Sequence, residues 1–344
     1  MRGKLVNGIK IEIKVIFKNM NFNSVSIVLP VYNCETTILL CLNSILKQNY
    51  PFQEIIMIDN HSADKTVQVI ENFKKRYKKI PMQLIKRDKT YRVADSYNLG
   101  AQRAKGSYIV LMHSDCVLPT KNELKKLMAP LKKDPSVDLS APYVVLPKYI
   151  WKKYNFWQKY LFANSVGVKV PSGNGQFECI RKDTYSKLGG YDVKNFGGEG
   201  IIGGEDADFH TRLKKIGEIA LSNALVLHVH YIGKNFSFIN VLKSKKVNAR
   251  SYGRFVSIQG KSLSLFSLLI FLTKFLLALL PFVPSLSLIG ILLLVTYSFY
   301  YSRKIFFDMS SLTDFKIVLV PLLNIFLVYF DVFWMIEGFL HKKK

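Results

Sequence analysis

Short apolar runs alternate with helical periodicity over the first third of the chain. The β-branched run SVSIVLPVY (24–32) predicts a buried strand, and apolar positions three and four residues apart follow it between Ile38 and Leu46. The order then repeats, with strands predicted at EIIMID, MQLIKR and SYIVLMH and helices at 66–77 and 93–105. This alternation predicts an α/β fold with a parallel sheet, in which ligands bind outside the carboxyl ends of the strands.

The pattern changes twice further along the chain. From about residue 140 to 230 it is irregular and Gly-rich, with one helix predicted over Ala207 to Ile216. Residues 234–258 then mix aromatic, apolar and basic positions, which is typical of an amphipathic helix at a membrane interface.

The last part of the chain is strongly apolar. It predicts two or three transmembrane helices, and the candidate spans are 263–283, 284–301 and 315–338. The predicted domains are therefore a basic N-terminal tail (1–23), an α/β domain (24–232), an amphipathic interfacial linker (233–260) and a membrane segment (261–344). A cytoplasmic α/β domain with three spans would place the basic C-terminus outside, whereas two spans would agree with the positive-inside tendency.

Charge and cysteine content narrow the function classes. The formal net charge of +25 indicates an anionic partner, such as nucleic acid, lipid or a phosphorylated substrate. The sequence contains no zinc finger, ribonucleoprotein motif or basic zipper. We therefore expect the anionic partner to be lipid or a phosphorylated substrate rather than nucleic acid. The four cysteines lack CxxC spacing, which argues against a zinc site or a disulfide framework.

Polar side chains follow the predicted strands where those strands end. They lie at Asn33 and Glu35, at Asp59 to Asp64 and at His113 to Asp115. A nucleotide sugar needs hydrogen-bond acceptors for its nucleoside and a cation for its diphosphate. Carboxylates at these strand ends can contact the nucleoside and hold Mg²⁺ or Mn²⁺.

Four strings in this chain resemble the family 2 glycosyltransferases of GT-A fold. They are VSIVLPVYNCE, IIMIDNHSADKT, NLGAQRAKGSYIVLMHSDC and GGEDADFHTRLKKIG, and together they cover about residues 24–230 in the family's order and spacing. The resemblance implies that Pro30, Tyr32, Glu35 and Asp59 contact the donor nucleoside. The alternative for the two acids is that they cap helices or form turns.

The family has an Asp-x-Asp motif after the strand that corresponds to SYIVLM, whereas this chain has His113-Ser114-Asp115. Asp115 keeps the metal-ligand position that the resemblance implies. His113 would contact the donor's ribose or phosphate, or join the metal as a neutral imidazole. His228 and His230 project to one side of an extended segment, and the resemblance implies that one of them, preferably His228, completes the metal shell.

The acidic pair Glu205-Asp206 resembles the family's catalytic pair. Asp206 would be the base that accepts the proton of the acceptor hydroxyl in an inverting displacement, and Glu205 would orient or bind the acceptor. The alternative is a helix start that favours negative charge. Arg212 either contacts the diphosphate or forms a surface ion pair.

The stretch VNARSYGRF is similar to one in family members that extend lipid-linked saccharides and carry C-terminal membrane helices. Arg250 and Arg254 would then bind lipid phosphate or diphosphate, although attraction to the membrane surface also explains them. The expected function is transfer of one sugar from a UDP-, GDP- or dTDP-linked donor to a lipid-linked acceptor at the cytoplasmic membrane face. A processive polysaccharide synthase and a non-catalytic membrane scaffold are the alternatives.

Overall fold

The computed structural model describes residues 24–173, 175–196, 204–230, 235–260, 265–308 and 312–340. The predicted N-terminal tail, residues 197–203 of the Gly-rich region and the basic C-terminus lie outside these residues. The chain divides into two compact units. The sheet unit contains Met1–Val145, Lys169–Tyr191 and Phe209–His230, and the helical unit contains Leu146–Val168, Asp192–Asp208 and Tyr231–Lys344.

The strands are β1 Val25–Val31, β2 Glu54–Asp59, β3 Met82–Lys86, β4 Tyr108–Met112, β5 Cys116–Val117, β6 Val137–Val145, β7 Lys169–Pro171, β8 Phe177–Arg181 and β9 Glu218–His228. The α-helices are α1 Ile38–Leu46, α2 Thr66–Arg76, α3 Val93–Arg103, α4 Glu123–Lys133, α5 Lys148–Trp151, α6 Phe156–Phe162, α7 Lys182–Lys187, α8 Val193–Phe196, α9 Glu205–Leu213, α10 Phe238–Gln259, α11 Leu265–Leu279, α12 Ser287–Tyr301, α13 Arg303–Phe306 and α14 Val320–Leu340.

The first half of the sheet confirms the predicted βαβ pattern. Strands β3, β2, β1 and β4 lie side by side in that order, and each neighbouring pair is parallel. Every residue of β2 and β4 is buried, as expected for strands that are covered on both faces. Helix α3 approaches β1 closely at Gly100, because a Cβ there would lie 2.2 Å from Val28 Cγ1.

The second half of the sheet differs from the simple parallel prediction. Strand β8 pairs antiparallel with β4 and β6, whereas the long strands β6 and β9 are parallel to each other. The short β5 pairs antiparallel with β9 and closes this side of the sheet. The sequence shows these strands poorly because their apolar positions are interrupted by polar ones such as Glu178 and Ser222, which are buried in the fold.

The helical unit contains the amphipathic and apolar segments. The predicted amphipathic segment forms the helix α10, which begins with a capping box at Ser237 and Asn240 and packs along α14. Its place at a membrane interface remains a prediction. The contact between α10 and α14 is close, since a Cβ on Gly338 would lie 1.9 Å from the Arg250 carbonyl oxygen. Arg250 also pairs with Glu337.

The three predicted apolar spans correspond to helices of different length. In the described residues, Phe315–Leu340 is the one helical segment that is long and apolar enough to cross a membrane, and Leu268–Phe282 and Ser287–Tyr301 are shorter. Lys274, the charge within the first predicted span, pairs with Asp331 of α14. The number of membrane crossings remains a prediction.

Candidate metal and nucleotide site

The loops that follow β1 and β2 are held together by hydrogen bonds between backbone and side chains. The Lys65 N–H donates to Glu35 Oε2 at 2.9 Å, and the Glu35 N–H donates to Asp64 Oδ2 at 3.2 Å. Asp59 ends β2, is 3% exposed and accepts from the Ser62 N–H at 3.4 Å. Glu35 and Asp59 therefore shape the two loops themselves, which is the turn-forming role that the sequence left open beside nucleoside binding.

The other two predicted nucleoside contacts lie on or directly after β1. Pro30 is opposite Ile58 of β2 in the parallel register, and Tyr32 follows the strand with 49% of its surface exposed. An exposed aromatic ring at the carboxyl end of a central strand is suited to stacking on a base. Their contact with donor nucleoside remains a prediction.

The metal-ligand candidates after β4 are placed by a tight turn. The Cys116 N–H donates to the His113 carbonyl oxygen at 3.2 Å, and β5 begins at Cys116. Cys116 is paired in register with His228 of β9, and the Val229 N–H donates to the Asp115 carbonyl oxygen at 2.8 Å. This antiparallel pairing brings the end of β9 to the turn, although more than a hundred residues separate them in sequence.

Two imidazoles contact the carboxylate of Asp115, one on each oxygen. His228 Nε2 lies 3.1 Å from Oδ1, and His230 Nδ1 lies 3.1 Å from Oδ2. The two imidazole rings are 3.8 Å apart between centroids. The ligand atoms of His113, Asp115 and His228 all lie within 4.8 Å of one another. The structure thus brings together Asp115 and His228, the two predicted metal ligands, and His113, for which metal ligation was the alternative to a ribose or phosphate contact. It adds His230, which the sequence favoured less than His228.

Burial and neighbouring charges shift the pKa values of Asp115 and His113. Burial alone would raise the pKa of Asp115, but the charge and hydrogen bonds of His228 and His230 outweigh burial and hold that pKa well below its ordinary value. Burial lowers the pKa of His113 to about 4. At neutral pH Asp115 is therefore an ionised carboxylate, and His113 is a neutral imidazole.

This donor set fits a divalent cation. Two ligand atoms bound to one cation at about 2.1 Å each are separated by roughly 3 to 4 Å, which is close to the distances between the Asp115 oxygens and the His228 and His230 nitrogens. A cation held here would lie at the end of β4, which neighbours β1 in the sheet, and β2 lies on the far side of β1. This is the edge where a parallel sheet binds a nucleotide diphosphate.

Residues behind the ligands hold the imidazoles in place. Gln176 Nε2 lies 2.9 Å from His228 Nδ1, and the ring of Tyr97 stacks against that of His113 with centroids 6.3 Å apart. Tyr97 is itself fixed by donating its hydroxyl proton to the Gly175 carbonyl oxygen at 2.7 Å. Gln176 was not among the residues predicted from the sequence. Strand alternation gives a signal for it, since Gln176 and the buried Glu178 are two residues apart.

The remaining predicted residues lie elsewhere in the two units. Glu205 and Asp206 occupy the first turn of α9 and belong to the helical unit, as do Arg250 and Arg254 on α10. The guanidinium of Arg212 donates to the carbonyl oxygens of Leu188 and Gly190, at 2.9 and 3.0 Å. These two bonds tie α9 to the turn after α7 and give Arg212 a structural role, so its contact with diphosphate remains a prediction.

A sheet of this topology, with a candidate metal site at the carboxyl end of β4, is the GT-A fold of glycosyltransferases. Residues 26–189 match the family model described as Glycosyl transferase family 2, so this part of the chain is a domain of that family. In the sheet unit the domain begins at β1 and extends through α7.

Relatives and solved structures agree with this assignment. The chain is 34% identical over 96 residues to an uncharacterized glycosyltransferase of Haemophilus influenzae, covering 28% of this chain and 38% of that protein. It is 32% identical over 94 residues to a dolichyl N-acetyl-alpha-D-glucosaminyl phosphate 3-beta-D-2,3-diacetamido-2,3-dideoxy-beta-D-glucuronosyltransferase of Methanococcus voltae, covering 27% and 28%. The chain thus spans less than two fifths of either relative.

The fold is also similar to a solved mannosyltransferase of Pyrobaculum calidifontis, which was determined with GDP-Man and Mn²⁺. The TM-score is 0.56 and the identity 14%, and the similarity covers 96% of this chain and 94% of that chain. At this identity the likeness establishes the fold.

Replacement of Gln176 tests how far His228 depends on the residue behind it. In the structure the amide nitrogen of Gln176 faces His228 Nδ1. A cation on His228 Nε2 would require the proton on Nδ1, so the Gln176 amide would have to turn its oxygen toward Nδ1, and a glutamate at position 176 would accept the same proton. We expect Gln176→Leu to weaken Mn²⁺ binding by about 10- to 100-fold, and Gln176→Glu to retain most of it. Calorimetric titration of Mn²⁺ measures both variants. If both variants lost the same Mn²⁺ affinity, the site would tolerate no change at position 176. The loss in Gln176→Leu would then not be due to a missing proton acceptor.

Proposed function

We propose that this protein is a membrane-associated glycosyltransferase that moves one sugar from a nucleotide-sugar donor to a lipid-linked acceptor. The observation that carries the proposal is the carboxylate–imidazole cluster of Asp115, His228 and His230 at the carboxyl end of β4, in a family 2 glycosyltransferase domain. The cluster stands where a donor diphosphate needs a cation. The domain assignment supports a nucleotide sugar as the donor.

Each part of the donor has a group in the chain to bind it. Asp59 and Glu35, with Pro30 and Tyr32, would hold the nucleoside at the ends of β1 and β2. Asp115 and His228 would hold Mn²⁺ or Mg²⁺, which when bound neutralises charge as the diphosphate leaves. His113 would lie at the ribose or the metal. The donor base and the sugar stay open among UDP-, GDP- and dTDP-linked compounds.

The chemical step requires a base on the acceptor side. Asp206 would accept the proton of the acceptor hydroxyl as its oxygen forms the new bond to the anomeric carbon and the bond to the leaving diphosphate breaks. Glu205 would orient the acceptor. Direct displacement of this kind inverts the anomeric configuration. Both acids stand in the first turn of α9, where the helix dipole stabilises the ionised form that a base needs.

A lipid-linked acceptor and a membrane location are supported by the helical unit. Its helices α11, α12 and α14 expose many large apolar side chains, and Phe282, just after α11, is 73% exposed. An exposed apolar surface of this extent is typical of contact with lipid. Arg250 and Arg254 of α10 would contribute cations for lipid phosphate or diphosphate, and the Methanococcus voltae relative has a dolichyl-linked compound in its name. We place the catalytic domain at the cytoplasmic face.

A panel of UDP-, GDP- and dTDP-sugars tests the proposal directly. Membranes that contain the chain are incubated with each donor and with Mn²⁺ or Mg²⁺, and transfer of sugar to the lipid fraction is measured with and without EDTA. We expect one donor class to give transfer that EDTA abolishes. A ladder of polymer would favour a processive synthase, and absence of both transfer and nucleotide binding would favour a scaffold.

A further inference from the structure

The metal cluster contains more nitrogen than the family motif implies. Two imidazoles of the cluster belong to His228, the last residue of β9, and to His230, which lies two residues after it. A third imidazole belongs to His113, which occupies the position where the family motif has an aspartate. Asp115 is the one carboxylate among these four side chains. The chain therefore offers three nitrogen donors and one carboxylate, where an Asp-x-Asp motif with one histidine offers two carboxylates and one nitrogen.

The geometry brings the ligand atoms of three side chains close together and places His230 on the second oxygen of Asp115. Asp115 lies between His228 and His230, with 3.1 Å to each from its two oxygens. The ring of His113 meets that of His228 edge-on with centroids 5.8 Å apart, and its ligand atom is within 4.8 Å of those of Asp115 and His228. Since two ligands on one cation are at most roughly 4 Å apart, His113 needs to move by less than about 1 Å to join them.

Donor chemistry then separates the available cations. Mg²⁺ prefers six oxygen ligands in near-ideal octahedral geometry and gives up water reluctantly. Imidazole nitrogen suits transition metals, and their affinity for such sites rises from Mn²⁺ through Co²⁺, with Zn²⁺ also favoured over Mn²⁺. A set of three imidazoles and one carboxylate is thus a poor site for Mg²⁺ and a good one for a transition-metal dication.

We propose that His113 and His230 are metal ligands in addition to Asp115 and His228, and that this set makes the protein selective for transition-metal dications over Mg²⁺. The inference rests on the proposed function only for the place of the metal. It names two ligands and a selectivity that follow from this chain's own side chains. The neighbouring protein side chains support it: Tyr97 stacks on His113, and Gln176 holds His228.

The test measures metal binding without any sugar donor, so that it does not depend on transfer. Purified full-length protein is titrated with Mg²⁺, Mn²⁺, Co²⁺ and Zn²⁺, and the visible absorption of the Co²⁺ form and the nitrogen couplings in pulsed EPR of the Mn²⁺ form are recorded. The variants are His113→Asp and His230→Gln. The matched control is His61→Asn, because His61 is exposed at φ 65°, a conformation that asparagine tolerates.

We expect wild type and His61→Asn to retain Mn²⁺ and Co²⁺ in about a 100-fold excess of Mg²⁺. His113→Asp should reduce the ratio of Mn²⁺ to Mg²⁺ affinity by about 10-fold or more, and each of the two ligand variants should lose one nitrogen coupling. Equal affinity of wild type for Mg²⁺ and Mn²⁺, or nitrogen couplings that neither variant changes, would overturn the inference. Selective metal binding without transfer to any acceptor would leave the inference standing and count against the proposed function.

Discussion

Asp115→Asn should abolish metal binding and, with it, sugar transfer. The substitution keeps the shape of the side chain but removes the negative charge that lies between His228 and His230. Loss of a residue that merely supports a ligand already costs 10- to 100-fold in metal affinity, so removal of the carboxylate ligand should cost at least about 100-fold. Calorimetric titration with Mn²⁺ measures the affinity, and the donor panel measures transfer.

A surface aspartate provides the control for this experiment. Asp134 follows α4, lies on the surface and accepts hydrogen bonds from Ser136, so Asp134→Asn changes the same charge away from the cluster. We expect the control variant to bind Mn²⁺ as wild type does. If Asp115→Asn retained full Mn²⁺ affinity, the cluster would not be the metal site, and a donor diphosphate would have to be neutralised by the chain's many lysines and arginines.

Asp206→Asn should remove transfer while leaving the donor and the metal bound. An asparagine cannot accept the acceptor's proton, and a positioned general base typically contributes a factor of about 10² to 10⁴ in rate. We therefore expect kcat for sugar transfer to fall by about that factor, with little change in the affinity for Mn²⁺ or for the nucleotide. Single-turnover transfer and equilibrium binding of the nucleotide separate the two effects.

The alternative role of Asp206 is structural, as a negative charge that stabilises the start of α9. A matched aspartate at the start of another helix provides the comparison that tests this alternative. Asp183 occupies the first turn of α7 as Asp206 occupies that of α9. Removal of a charge from a first turn costs about 0.3–1 kcal/mol of stability in either helix. If Asp206→Asn only lowered thermal stability by as much as Asp183→Asn, and transfer continued, the base would be another group.

Sequence alone identified the parts of the site that depend on local order. The strands β1, β2 and β4 are short apolar runs that are buried on both faces, and polar residues must follow a buried strand where the chain returns to the surface. The order of apolar and polar positions along the chain was therefore enough to place Asp59 and Asp115 at strand ends. The family assignment is confirmed for residues 26–189, a range that contains or overlaps the first three of the four strings that resemble the family.

Tertiary structure decided which of these residues meet. His228 reaches Asp115 because β9 pairs antiparallel with β5, and the two-residue strand β5 is too short to show any period in the sequence. The support of His228 by Gln176 depends on the antiparallel junction of β8 with β4, which apolar periodicity cannot encode. Periodicity records which face of one element is buried, whereas a metal site needs side chains from several elements at one point. The sequence by itself thus determined the fold class and the candidate residues, and the pairing of distant strands decided that His228 and His230 contact the carboxylate of Asp115.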